Sequence, residues 1–174
     1  MTGSIIFVGG PSGTGKSTIA SELAKVINCL FLEGDQYHPQ ANIEKMSEGI
    51  PLTDEDRWSW LNTLCLEAVK KIGQKEYLIV SCSMLKKKYR EYMREVIGDR
   101  ARVLMIVLYN DYDTIYNRML KRSSHFMKAD MLKSQFDDLE LPDDSESKVG
   151  TYRIFCGSKT TDEIVKEVVK SCHN

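Results

Sequence analysis

Gly10-Pro11-Ser12-Gly13-Thr14-Gly15-Lys16-Ser17 satisfies the whole G-x-x-x-x-G-K-[ST] pattern. Residues of these types at this spacing hold the phosphates of a nucleotide. Glycines allow a tight turn, so consecutive backbone N–H groups converge on phosphate oxygens. The helix that must follow adds the positive end of its dipole. Lys16 supplies an ammonium for the β- and γ-phosphates, and the Ser17 hydroxyl is a hard oxygen ligand suited to Mg²⁺. Gly10, Ser12, Gly13, Thr14, Gly15, Lys16, Ser17 and Thr18 are therefore the expected nucleotide-binding residues, and Lys16 is also expected to be catalytic. A second group able to do chemistry is Glu33-Gly34-Asp35. Two carboxylates one residue apart can point the same way from an extended backbone. One, Glu33, can hold a metal through water; the other, Asp35, can orient or deprotonate an acceptor hydroxyl. Alone, the pair reads equally well as a solvated acidic turn; beside a phosphate loop the catalytic reading is favoured.

The elements that position these residues follow from apolar patterning. Ile5-Ile6-Phe7-Val8 reads as a short buried strand before the glycine loop, and Cys29-Leu30-Phe31-Leu32 as a second strand before the acidic pair. Tyr77 to Val80, Val103 to Leu108 and, more weakly, Tyr152 to Cys156 complete five. Between them lie helical patterns. Ile19, Ala20, Leu23 and Ile27 share one face. Leu61, Leu64, Cys65, Ala68, Val69 and Ile72 recur at helical spacing over residues 53–73. Thr53 is the expected N-cap of that helix, with Asp56 at the capping-box position. A helix from near Asp111 to Arg122 and a last one after Thr160 or Thr161 follow. Continuously apolar strands alternating with helices predict an α/β fold with a five-stranded parallel sheet covered on both faces, a three-layer sandwich. Ligands of such sheets sit at the carboxyl ends of the strands, where both chemical groups fall.

The bulk properties narrow the function classes. A chain of 174 residues is the size of one domain. Its 24 basic and 25 acidic side chains leave a net charge of −1, with no basic excess to suggest nucleic acid or a membrane as partner. Five cysteines, an odd number without a C-x-x-C pair, suggest free thiols in a reducing compartment, and no disulfide frame or zinc site. The apolar run at Ile5 to Val8 is far too short for a signal peptide or a span, so a cytoplasmic protein is expected. No Asn is followed by Lys, which removes the guanine-reading element of GTP switches, and the third strand ends in Ser81-Cys82-Ser83 without a carboxylate. A small-molecule kinase fits best among P-loop proteins.

The remaining motifs resemble one family. Phe31-Leu32-Glu33-Gly34-Asp35, His38-Pro39, Asn42-Ile43-Glu44-Lys45-Met46, Gly49, Pro51-Leu52, Asp54, Asp56-Arg57 and Trp60-Leu61 run in the order and spacing of the gluconate kinase family. Cys82-Ser83, Leu85-Lys86-Lys87 and Tyr89-Arg90 match its next block. His125-Phe126, Met131-Leu132, Gln135-Phe136 and Leu139-Glu140 match its lid. The resemblance covers residues 4–142 and implies a single P-loop kinase domain. Its substrate-binding helical segment would span about residues 36–60 and its lid about residues 118–142. It also implies ATP and Mg²⁺, transfer of the γ-phosphoryl group to the terminal hydroxyl of D-gluconate, and a homodimer. Shikimate or a nucleoside monophosphate as acceptor, or a nucleotide-binding regulator without turnover, are the competing readings; residues 35–61 argue against the first.

Gluconate is a polyol with one carboxylate. Within the matched blocks, Arg57 and Arg90 can form bidentate pairs with a carboxylate, and Lys45 and Lys86 add charge. His38, Asn42 and Ser83 can serve hydroxyls, and Trp60 an apolar wall. Arg118 and Arg122, at the end of a helix that enters the lid, are suited to neutralise the transferring phosphoryl group and are expected at the nucleotide, Arg122 as a catalytic residue. His125 fits the lid motif as a substrate residue. Three positions depart from the family: Glu33 stands where Asp is usual, Ser124 where Gly is usual, and Met127 where a second aromatic is usual.

Overall fold

The computed structural model describes residues 2–122 and 126–172, with the side chains of residues 122 and 126–130 outside that description. Five strands, β1 (Ser4–Gly9), β2 (Leu30–Glu33), β3 (Tyr77–Ser81), β4 (Arg102–Tyr109) and β5 (Thr151–Phe155), form one parallel sheet in the order β2-β3-β1-β4-β5. Each expected strand is present, its ends shifted by a residue or so. β1 is central, paired with β3 and β4. Its side chains alternate between two cores. Ile5 and Phe7 pack with helices α3 (Asp54–Ile72) and α4 (Lys87–Ile97) on one face. Ile6 and Val8 pack with α1 (Lys16–Ile27) and α8 (Thr161–Cys172) on the other. This is the expected three-layer arrangement.

α3 follows the sequence pattern closely. Thr53 caps it: its hydroxyl accepts the Asp56 N–H at 3.3 Å, and the Asp56 carboxylate accepts the Thr53 N–H at 2.8 Å. Asp54, Glu55 and Asp56 in its first turn and Lys70 and Lys71 in its last complement the dipole. The other helices are α2 (Gln40–Ser47), α5 (Tyr112–Arg122), α6 (Phe126–Asp138) and the single turn α7 (Asp144–Ser147). α4 was not anticipated, although Tyr89, Met93 and Ile97, all buried, recur at i, i+4 and i+8. All five cysteines are free thiols. Among the described residues no helix is long and apolar enough to cross a membrane.

Candidate active site

The glycine loop leaves the carboxyl end of the central strand and turns directly into α1. Gly15 occupies the N-cap position in the left-handed region (φ 85°), and no side chain caps the helix there, which leaves its first N–H groups for a ligand. At Gly13 (φ 82°) an added Cβ would lie 2.7 Å from Ile115 of α5, so the loop and that helix touch. The Thr14 hydroxyl donates to the Pro11 carbonyl at 2.7 Å, bracing the loop from inside. Lys16 is only 8% exposed, and no ion pair among the described residues includes it. A nearly buried ammonium without a carboxylate is stable where an anion joins it.

Glu33 ends β2 and faces this loop. One of its oxygens accepts from the Ser17 hydroxyl at 3.1 Å and from the Ser81 hydroxyl at 2.6 Å. Ser81, the last residue of β3, also accepts the Gly34 N–H at 3.3 Å. The two strand ends approach so closely that a Cβ on Gly34 would sit 2.0 Å from the Ser81 carbonyl oxygen; only glycine fits. The chain then enters a 3-10 turn, Gly34–Tyr37, which carries Asp35. The two carboxylates thus do not share an extended backbone, as the spacing had suggested. Glu33 joins the loop hydroxyl, and Asp35 lines a cavity next to it. The oxygens of Ser17 and Glu33 are hard donors of the kind a small divalent cation takes.

That cavity brings together residues from well-separated segments of the chain. Ser12 and Lys16 come from the loop, Asp35 and His38 from the turn after β2, Arg57 and Trp60 from α3, Ser83 from the loop after β3, and Met131, Ser134 and Gln135 from α6. Trp60 donates its indole N–H to the Gly34 carbonyl at 2.9 Å and stacks on His38 with ring centroids 3.9 Å apart. It is a wall and also a brace for the Asp35 turn. Burial pushes the His38 imidazole down to about pKa 4, with Asp35 opposing and Arg57 assisting, so the ring is neutral at physiological pH. Asn42 is buried behind it and bonds its Nδ1 at 3.2 Å. Gln135 reaches from α6 to the loop, where its Oε1 accepts the Ser12 N–H at 2.7 Å. A larger cavity lined by Ser4, Tyr77, Arg102 and Gly150 lies at the amino ends of the strands, away from all of these groups.

The expected cations divide into two sets. Arg57 lines the cavity while donating to the Tyr89 hydroxyl at 2.6 Å and pairing with Asp138 of α6 at 3.1 Å. Lys45, Lys86 and Arg90 do not line it, contrary to the sequence expectation. Lys45 pairs with Asp56 at 2.8 Å, and Lys86 with Asp54 at 3.0 Å. Asp54 also bonds Lys88 and Tyr89, and those contacts, Lys88 foremost, hold its carboxyl well below the usual range. Arg90 is 1% exposed, and all five of its N–H donors are occupied. Glu146 takes two at 2.8 and 2.9 Å, and the carbonyls of Met84, Leu85 and Glu140 take the others. Its neighbours include the complete acceptor set it needs, so it is a structural guanidinium. Arg118 is half-buried on α5. The side chain of Arg122 and all of His125 lie outside the described residues.

Three contributors were missed by sequence reasoning. Ser81 was seen only as the absence of a carboxylate. Gln135 and Asp138 were seen only as part of the lid. The signal for Gln135 was available, since a polar amide stands among Met131, Leu132 and Phe136.

A family model described as an AAA domain matches residues 6–143. A probable gluconokinase of Saccharomyces cerevisiae is 48% identical over 146 residues, covering 80% of this chain and 75% of that protein. The thermosensitive gluconokinase of Escherichia coli is 41% identical over 149 residues, covering 86% and 78%. The crystal structure of a gluconokinase from Sinorhizobium meliloti superposes with a TM-score of 0.78 at 36% identity, covering 98% of this chain and 91% of that one. Residues 6–143 span the phosphate loop, the Asp35 turn and α6, and these relatives, with the geometry above, make this chain a member of the gluconokinase family of P-loop kinases.

Proposed function

We propose that this protein transfers the γ-phosphoryl group of ATP to the terminal hydroxyl of D-gluconate, giving 6-phospho-D-gluconate and ADP, in the cytoplasm. The observation that carries the reading is one cavity shared by a phosphate-binding lysine, a carboxylate and an arginine: Lys16, Asp35 and Arg57. The loop N–H groups and Lys16 hold the phosphates. Ser17 directly, and Glu33 through water, would hold Mg²⁺, which supplies neutralisation of phosphate charge when bound. Asp35 takes the proton of the attacking hydroxyl. Arg57 meets the gluconate carboxylate, sharing its guanidinium with Asp138. Ser83 and His38 face the polyol. The free thiols support a reducing compartment; burial pushes Cys65 up to about 12, keeping it protonated and inert.

The test is ADP release with Mg-ATP against gluconate, shikimate, nucleoside monophosphates and no acceptor. Turnover with gluconate alone is expected. Turnover with another acceptor would keep the kinase and remove gluconate; ATP binding without any turnover would favour a regulator. The same assay reads the lid. Gln135→Ala removes the bond that ties α6 to the phosphate loop, so water enters more easily. ADP release without acceptor should rise roughly 2- to 10-fold, the factor of one lost hydrogen bond. An unchanged background rate would show that the contact does not help exclude water.

A further inference from the structure

The amide nitrogen of Asn42 has two N–H bonds, and both meet acceptors. One goes to the backbone carbonyl of Asp56 at 2.8 Å. A carbonyl can only accept, so this contact fixes which end of the amide is nitrogen. The other lies 3.2 Å from Nδ1 of His38. Nδ1 therefore faces a donor and must itself be the acceptor, which places the single proton of the neutral ring on Nε2. An imidazolium would set N–H against N–H at Nδ1. Asn42 thus excludes both the other tautomer and the charged form. Burial acts in the same direction, since the His38 side chain is 3% exposed. The charged groups facing the ring are Asp35, which favours the imidazolium, and Arg57, which opposes it.

Nε2 has no hydrogen-bond partner among the described residues. The Asp35 Oδ1 oxygen is 4.0 Å from it, and both residues line the same cavity. That gap is too long for a direct bond but suits one oxygen held between them. An oxygen about 2.8 Å from each would subtend roughly 90°, close to the directions in which a hydroxyl donates and accepts. We propose that His38, locked by Asn42 as the Nε2–H tautomer, donates a hydrogen bond to the reacting hydroxyl, and that Asn42 is a positioning residue acting through it. The proposal rests on the reading of Asp35 as the base. The hydroxyl gives its proton to Asp35 and accepts from Nε2–H, which directs its remaining lone pair at the γ-phosphorus. The new O–P bond forms as the bridging O–P bond to ADP breaks, and His38 keeps its proton throughout. A neutral donor suits this role, because an imidazolium would draw electron density from the nucleophile and weaken Asp35 as a base.

Ring ¹⁵N shifts of His38, assigned by their loss in His38→Gln, read the tautomer, while steady-state kinetics with gluconate and ATP read the role. The wild type should show the Nε2–H pattern at neutral pH, and Asn42→Asp, whose carboxylate faces Nδ1, should move the proton onto Nδ1. His38→Phe keeps a ring to stack on Trp60 but no donor, and should lower kcat at least about tenfold with the KM for ATP unchanged. His38→Gln, whose amide can donate from near the Nε2 position, should retain more activity than His38→Phe. A wild-type ring protonated on Nδ1, or a wild-type kcat in His38→Phe with gluconate, would overturn the proposal and leave gluconate phosphorylation standing. A wild type that turns over no acceptor would overturn the function and, with it, the donor role.

Discussion

Asp35→Asn should lower kcat for gluconate phosphorylation by roughly 10²- to 10⁴-fold, the usual contribution of a positioned base. The substitution keeps shape and volume but cannot take a proton. The KM for ATP should stay near wild type, because Asp35 is not part of the loop that holds the phosphates; that loop's contacts run through Ser12, Thr14, Lys16 and Ser17. A loss in kcat without loss in nucleotide affinity is the signature of an interaction made only in the transition state. A variant within about threefold of wild type would mean that another group takes the proton, since so small a change is below what general-base catalysis supplies.

The largest effect on stability is expected at a pair that does not itself line the cavity, Arg90 and Glu146. Glu146→Ala leaves the Arg90 guanidinium buried at 1% exposure with two of its N–H groups unpaired. Breaking one side of a buried ion pair costs about 3–5 kcal/mol, a large share of the stability of an ordinary domain. For a chain of this size that lowers the melting temperature by roughly 6–20 °C. Chemical denaturation of wild type, Glu146→Ala and Glu146→Gln would measure it. The Gln variant keeps an acceptor and should fall between the other two. A loss below about 1 kcal/mol for the Ala variant would show that water replaces the carboxylate, which burial this deep should prevent.

Arg90 also illustrates what a sequence can and cannot reveal. The phosphate loop was legible because its function is contiguous: eight residues, one strand before, one helix after. The strands were legible because β1 and β4 are buried on both faces and so apolar along most of their length. The acidic pair was recognisable, though not its geometry, since the 3-10 turn at Gly34 depends on how closely β2 and β3 end together. Partner choice among cations was not legible. Arg57 and Arg90 look alike in sequence, yet Arg90 finds Glu146, 56 positions later, and Arg57 faces the cavity. Lys45 and Lys86 are likewise paired by Asp56 and Asp54; the capping position of Asp56 was apparent, but neither pairing was. Helix α4 was missed because its charged face dominates the composition while its apolar stripe is only one residue wide per turn.

The placement of β1 at the middle of the sheet bears on how the protein is made. Ile5 to Val8 leave the ribosome well before the strands that flank them and are among the most completely buried residues at the end. Their partners, Leu78 to Ser81 and Val103 to Ile106, are synthesised some 70 to 100 residues later. At about 5–20 residues per second, the apolar strand that anchors the phosphate loop waits roughly 5–20 s before it can be paired on both sides. For that interval the nascent chain presents Ile5-Ile6-Phe7-Val8 to its surroundings, an attractive segment for a chaperone that binds short apolar stretches during translation.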